Sequence, residues 1–271
     1  MKDMTPGTFL RLLAIVIVGT IAISLVMVNI DWFGLAGSEE RIKIDEMLDV
    51  SIILSSFVFM VVMVMMGYAI WRYRAKPGDE GDGEPIHGNT RLEIIWTTIP
   101  TLIVLFLGIY STIVLNDIEA EAADSMRVDI TGQQFAWRFD YVDAGKTSTE
   151  LHVPAGTQLD IRVQALDVVH SFWVPEWGIK RDLVPGASLE DGADQAIDNS
   201  FVVTPTVPGT YQVVCMELCG LGHTTMRATA VVHETQEDFD AWLAEQKDIP
   251  EDGAVGAGVA GGSGAGSLAE Q

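Results

Sequence analysis

The sequence predicts a membrane-anchored all-β protein, with transmembrane helices followed by a β-sandwich or barrel held outside the membrane. Three observations carry this expectation. Hydrophobic residues make up 48% of the 271, and mean hydropathy is +0.27, yet the formal net charge is −22. Those values coexist only if apolar and acidic residues are segregated along the chain. Three long uncharged runs do lie before residue 116, whereas residues 116–252 hold 25 acids against 8 bases. That second stretch breaks into short β-branched segments separated by Gly, Pro and Asp, the pattern of strands joined by turns. So acidic a chain cannot neutralise phosphates, which excludes nucleic acid as a partner. Two cysteines in 271 residues exclude a disulfide-dense scaffold.

The runs are Leu12–Ile30, Val50–Ile70 and Ile94–Leu115. A helix rises ~1.5 Å per residue and the hydrocarbon core is ~30 Å thick, so each run is long enough to span. The first also resembles a signal peptide, with Lys2 and Arg11 ahead of it and a small-x-small site at Gly34-Leu35-Ala36. Its length exceeds a signal core of ~7–15 residues, which favours a retained helix. Lys2, Arg11, Arg72, Arg74, Lys76 and Arg91 lie on one side of these spans, and only Arg41 and Lys43 on the other. The positive-inside rule therefore places the chain after Leu115 outside the cell. Pro100, inside the third run, removes one helix hydrogen bond and predicts a kink. The cluster Met47, Met60, Met63, Met65 and Met66 reads as apolar filler on a packing face rather than as a metal path.

The domain boundaries follow: 1–36, an N-terminal helix or signal peptide; 37–115, a two-helix hairpin; 116–234, the β domain; 235–252, a C-terminal helix; and 253–271, a flexible Gly/Ala/Ser tail. Strands are expected at Met126–Thr131, Gln134–Tyr141, Gln158–Gln164, Ser200–Val203, Thr210–Val214 and Met226–His233, arranged as an antiparallel sandwich or barrel. The final helix has Thr235 as N-cap, Asp238 three residues later, and Phe239, Trp242 and Leu243 on one face.

The chemistry concentrates in Cys215-Met216-Glu217-Leu218-Cys219-Gly220-Leu221-Gly222-His223-Thr224-Thr225-Met226. Thiolate and thioether ligands together with imidazole favour copper over hard cations. Glycines at 220 and 222 let the loop fold back so that Cys219 and His223 approach one centre. Two thiolates so spaced can bridge two metals, and a second imidazole must then come from elsewhere. His170 is the natural candidate, in an apolar strand where an unpaired histidine would be costly. Three plainer readings compete: a Cys215–Cys219 disulfide, a structural Cys2His2 zinc site, and His170 as an ordinary core residue. The first leaves His223 and Met226 without a role. The second leaves Met226 without one and uses atypical spacing.

These residues resemble subunit II of the haem-copper terminal oxidases, the cytochrome c oxidase family. The twelve-residue loop resembles that family's binuclear copper A motif, and His170–Gly186 its upstream ligand stretch. His87 to Pro100 (His-Gly-Asn-Thr-Arg-Leu-Glu-Ile-Ile-Trp-Thr-Thr-Ile-Pro) resembles the signature that enters its second hairpin helix. The three stand in the family's order across residues 50–246. The resemblance implies a cupredoxin-like Greek-key barrel behind a two-helix hairpin. It implies Cys215 and Cys219 as bridging thiolates, His170 and His223 as imidazole ligands, and Met226 and the Glu217 carbonyl as weak axial ligands. The Glu217 carboxylate would face a magnesium ion at the boundary with subunit I. Phe135 stands where the family most often holds the exposed tryptophan at which electrons enter, and Trp137 matches its second tryptophan. Glu93 matches the acid at a proton-channel entrance on the cytoplasmic side; as a plain feature it complements a helix dipole.

The function implied is that of the electron-accepting subunit of a respiratory oxidase in the plasma membrane. Partners would be subunits I and III and a cytochrome c or blue-copper donor, with oxygen reduced in subunit I and protons pumped. Three alternatives compete. A quinol oxidase subunit typically lacks the copper ligands present here. A membrane-anchored copper-insertion protein has a single anchor and usually proline after its second cysteine, where this chain has Gly220. Nitrous oxide reductase shares the copper site but not the hairpin. The acids spread from Asp117 to Asp252 and through both inter-helix links, more than one docking patch needs, which points to a high-salt environment.

Overall fold

The structure is a computed structural model and describes residues 5–75, 77–78, 81, 88–187, 189 and 199–250. His87, the tail 253–271, and Glu190, Asp191, Asp194 and Asp198 lie outside the described residues. The chain divides into two compact units, Met1–Trp32 with Lys43–Asp117, and Phe33–Ile42 with Ile118–Gln271.

The first unit carries α1 (Pro6–Val28), α2 (Glu39–Tyr73) except its first turn, Glu39–Ile42, and α3 (Thr90–Ile118) up to Asp117; each helix is long and apolar enough to cross a membrane. Thr5 caps α1, its hydroxyl accepting from Thr8 N–H at 3.2 Å, and Pro6 occupies the first turn, where a missing N–H costs nothing. Gly19 lies so close to Met60 that a Cβ there would collide with it. Helix α2 begins well before its apolar run, because the Ser38 hydroxyl caps Arg41 N–H at 3.0 Å and Glu39 and Glu40 complement the dipole. Asn89 Oδ1 accepts from the N–H groups of Arg91 and Leu92, and Glu93 accepts in turn from Asn89 N–H at 3.2 Å. Helix α3 continues through Pro100.

The second unit carries the strands β1 (Met126–Gln133), β2 (Ala136–Tyr141), β3 (Lys146–Ser148), β4 (Leu151–Pro154), β5 (Leu159–Ala165), β6 (His170–Trp173), β7 (Lys180–Leu183), β8 (Ser200–Val203), β9 (Gly209–Cys215) and β10 (Arg227–His233). Helix α4 (Gln236–Ala244) and a short β11 (Lys247–Asp248) follow. They form two sheets, ordered β11-β3-β2-β1-β5-β8 and β4-β10-β9-β6-β7. The fold is the cupredoxin-like β domain expected, with one difference from a purely antiparallel sandwich. β1 pairs with β5, and β10 with β4, in parallel. Crossing from sheet to sheet brings strands that are distant in sequence side by side.

Alternation along the strands sorts residues by face. Val128, Ile130, Trp137, Phe139, Leu159, Ile161 and Val163 fill the core. The opposite face of the same three strands carries Arg127–Asp129, Arg138–Asp140 and Arg162–Asp160, paired at 3.0, 2.9 and 3.2 Å. Helix α4 is capped as the sequence predicts, with the Thr235 hydroxyl accepting from Asp238 N–H at 3.1 Å. Its buried Phe239, together with Trp242, packs on Tyr141.

Residues 33–42 belong to the β unit rather than to the hairpin. Gly37 N–H donates to Glu176 O and Gly37 O accepts from Thr206 N–H, both at 2.8 Å. The Ser38 hydroxyl donates to Trp177 O at 2.9 Å. The buried Glu40 carboxylate accepts from both Thr204 N–H (2.8 Å) and Thr204 Oγ1 (3.0 Å), and Arg41 Nη1 donates to Pro175 O at 2.9 Å. Gly178 adopts φ +75°, and a Cβ there would sit 2.7 Å from Arg41 Cδ.

Candidate metal centre

Three neighbouring segments build the site. His170 opens β6, Cys215 closes β9, and Phe172 pairs directly with Cys215 across the two strands. The chain after Cys215 turns through Gly220 (φ +129°), makes one 3-10 turn at His223–Thr225, and returns so that Cys215 N–H donates to Met226 O at 3.2 Å. The backbone thus closes a loop with sulfur at both ends.

The side chains converge inside that loop. The Cys215 sulfur lies 3.9 Å from His170 Nδ1 and 3.3 Å from the Glu217 carbonyl oxygen. The Cys219 sulfur lies 3.7 Å from both His223 Nδ1 and Met226 Sδ. The two sulfurs are 3.8 Å apart, as free thiols rather than a disulfide. The ligand atoms of His170, Cys215 and Cys219 all fall within 4.8 Å of one another. His170, Cys215, Cys219 and Met226 are buried and His223 half-buried, while the Glu217 carboxylate is exposed. All six residues singled out in the sequence therefore meet at one place, through the side chains of five and the carbonyl of Glu217.

Burial governs the charge state of the Cys219 thiol, and hydrogen bonds that of the Asp167 carboxyl. Burial, and then the adjacent Cys215 thiol, push the Cys219 thiol up to about 11. A metal that binds the Cys219 sulfur must displace the thiol proton. His170 Nε2 bonds to Asp167 Oδ1 at 2.8 Å, which leaves Nδ1 as the nitrogen turned toward sulfur. Burial raises the Asp167 carboxyl, but bonds from Gln134 N–H, His170 and Val168 N–H outweigh it and hold the group below its ordinary range. The donor set suits a soft metal: two sulfurs near enough to bridge, two imidazoles, a thioether and a carbonyl. A zinc site of two Cys and two His would leave the fully buried Met226 sulfur, aimed at Cys219, without a role.

Of the two aromatic residues singled out, Phe135 is 38% exposed and Trp137 is 2% exposed. Phe135 lies over the loop glycines: a Cβ at Gly220 would sit 3.2 Å from its ring, and one at Gly222 would collide with it. Trp137 packs edge-on to His170, with ring centroids 6.3 Å apart. Around the loop, Met216, Leu218, Leu221, Leu166, Val168 and Val169 present apolar surface to the outside. Sequence reasoning gave no role to Gln134 or Asp167. The only signal was indirect, since a Gly-x-Gly loop leaves room for another segment to lie on it.

The chain is similar to known proteins along most of its length. The family described as cytochrome C oxidase subunit II, transmembrane domain, matches residues 26–114, and that described as its periplasmic domain matches residues 145–235. Cytochrome c oxidase subunit 2 of Thermostichus vulcanus is 33% identical over 266 residues, covering 78% of this chain and 77% of that one. The protein of the same name from Synechocystis sp. is 28% identical over 299 residues, covering 90% and 84%. Quinol oxidase subunit 2 of Bacillus cereus is 29% identical over 206 residues, covering 73% and 67%.

Proposed function

The chain belongs to the cytochrome c oxidase subunit II family, and from that premise we propose that it is the electron-accepting subunit of an oxidase carrying a binuclear copper A centre. Members of this family are parts of an oxidoreductase complex. The observation that carries the finer reading is the convergence of two cysteine sulfurs with two imidazole nitrogens, the Met226 sulfur and the Glu217 carbonyl. Cys215 and Cys219 would bridge two coppers. His170 and His223 would complete them, with Met226 and the Glu217 carbonyl as weak axial ligands. When bound, the copper pair would supply one-electron transfer with little change in geometry.

The remaining work falls to the protein. Asp167 fixes the His170 tautomer, and the closed loop holds the sulfurs in place before an electron arrives. Phe135, exposed and resting on the loop, is the contact at which a cytochrome c or blue-copper donor hands over its electron. Trp137, buried against His170, serves as packing behind it. The exposed leucines and valines around the loop suit short-range apolar docking of a partner. The exposed Glu217 carboxylate would bind magnesium at the boundary with subunit I, where oxygen would be reduced to water and protons pumped; subunit III would complete the complex. Glu93 contributes the proton-channel entrance on the cytoplasmic side in addition to capping α3. The chain crosses the plasma membrane, with the β domain on the extracellular or periplasmic side.

A quinol oxidase subunit is the second reading, since such a protein is among the relatives. The full set of sulfur and imidazole ligands argues against it, because a subunit serving a quinol oxidase has no use for them. The test uses the purified oxidase complex under stopped flow. Reduction of a near-infrared copper band by cytochrome c or a blue-copper protein, ahead of the haems, is the expected result. Turnover with quinol alone and no copper in this subunit would overturn the proposal.

A further inference from the structure

The tip of the β1–β2 hairpin touches both halves of the metal centre. Its two turn residues are Gln134 and Phe135, because Gln133 pairs with Ala136. The Gln134 side-chain amide donates to the Cys219 carbonyl at 2.5 Å, and its backbone N–H donates to Asp167 Oδ2 at 2.7 Å. The other oxygen of that carboxylate holds His170 Nε2. One residue therefore connects a bridging cysteine to the group that orients an imidazole ligand, although the segments are 33 and 85 residues away in sequence. β6 and β9 pair only at Phe172–Cys215 and Trp173–Val214. Cys219 lies beyond that pairing, so strand hydrogen bonds do not hold it.

We propose that Gln134 is a positioning residue for the copper centre, its side-chain amide pinning the Cys219 arm of the loop while its backbone N–H steadies the Asp167–His170 pair. The inference rests on the two-copper reading above. A second observation points the same way. A Cβ at Gly220 would come within 2.9 Å of Gln134 Nε2, and one at Gly222 would collide with the Phe135 ring. The two glycines leave room for the hairpin tip to sit on the loop as well as letting the loop turn. A loop held from above cannot relax when its metals change charge, which is the condition for fast electron exchange. Gln134 does not touch the reacting atoms. It acts through Cys219 and Asp167.

The test compares Gln134→Ala, Gln134→Glu and Gln134→Lys in the full-length, copper-loaded chain in detergent, with Gln133→Ala as control. The readouts are the copper EPR pattern, the reduction potential and the rate of copper loss to a chelator. Glutamate keeps the shape but at neutral pH cannot donate to the Cys219 carbonyl; lysine keeps a donor of similar reach. Alanine and glutamate should each lose copper about tenfold faster, in line with other groups that support metal ligands, and shift the potential. Lysine and the control should stay near wild type. If packing alone mattered, glutamate would match wild type and lysine would not. Equal behaviour of the glutamate and lysine variants overturns the proposal, and this pair decides if the alanine variant does not fold. A wild-type chain holding fewer than two coppers would contradict the underlying two-copper reading. Unchanged variants on a two-copper wild type would overturn this inference alone.

Discussion

At Cys219 the fold holds a thiol that burial, and then Cys215, push up to about 11, 3.8 Å from a second thiol. In the proposed centre a metal would take the place of the Cys219 proton. Cys215→Ser and Cys219→Ser should each lose both coppers, because one sulfur cannot hold two metals; metal analysis of the full-length variants checks this. Met226→Leu should keep both and shift only the potential, since a thioether is a weak ligand that tunes rather than anchors. These six residues were legible as a candidate metal site because five of them lie within twelve residues and their element types restrict the metal. Asp167 and Gln134 were not. Their roles depend on contacts made only when β1, β2 and the β5–β6 connection come together, and neither residue type signals a ligand.

The elements show where local pattern succeeds and where it stops. Long apolar runs announced α1, α2 and α3, and the Thr235 cap announced α4, because hydrophobic length and capping are local properties. The three-residue β3 and two-residue β11 escaped, being too short and polar to show a period; β11 is held by pairing with β3 and the Lys146–Asp248 ion pair at 2.8 Å. The segment 33–42 escaped for another reason, since a linker between two apolar runs gives no sign that it will fold with a distant domain. Its buried Glu40 serves two donors on Thr204, so Glu40→Ala should destabilise the β unit by about 1–3 kcal/mol by leaving a buried N–H unsatisfied. Chemical unfolding of the full chain measures this, and no change would contradict it. Near α4, His152 stacks on Trp242 at 3.8 Å and meets His233 at 2.9 Å. Burial first, then His233, lower its pKa from 6.5, against a smaller opposing pull from Glu150. Below 6.5 the unfolded chain therefore binds a proton that the folded chain resists. This group's contribution to stability is complete above 6.5 and is lost as pH falls through the lowered value. His152→Phe, which keeps the stack, should flatten that acid-side slope in pH-dependent thermal unfolding; an unchanged slope would remove His152 as its source.

Over the whole molecule, an apolar anchor and a strongly acidic exterior coexist in one chain of net charge −22. Asp129, Asp140 and Asp160 are matched by arginines on the face of one sheet. Many others, including Glu217, Glu237, Asp238 and Asp240, face solvent. At 1 M salt the Debye length falls to ~3 Å, so repulsion among the exposed acids is screened while the close pairs persist. For a chain adapted to high salt, the melting temperature should rise steadily into the molar range, and a low-salt maximum would contradict that adaptation. In such salt the proposed docking of a donor would depend on the apolar surface around Phe135 rather than on long-range steering. The two sulfurs of Cys215 and Cys219 carry the proposed centre, and the most direct test of them is the EPR spectrum of the oxidised, copper-loaded full-length chain. One unpaired electron shared equally between two copper nuclei, with the closely spaced multi-line splitting this produces, is the predicted result. The broader pattern of an electron confined to a single copper would contradict it.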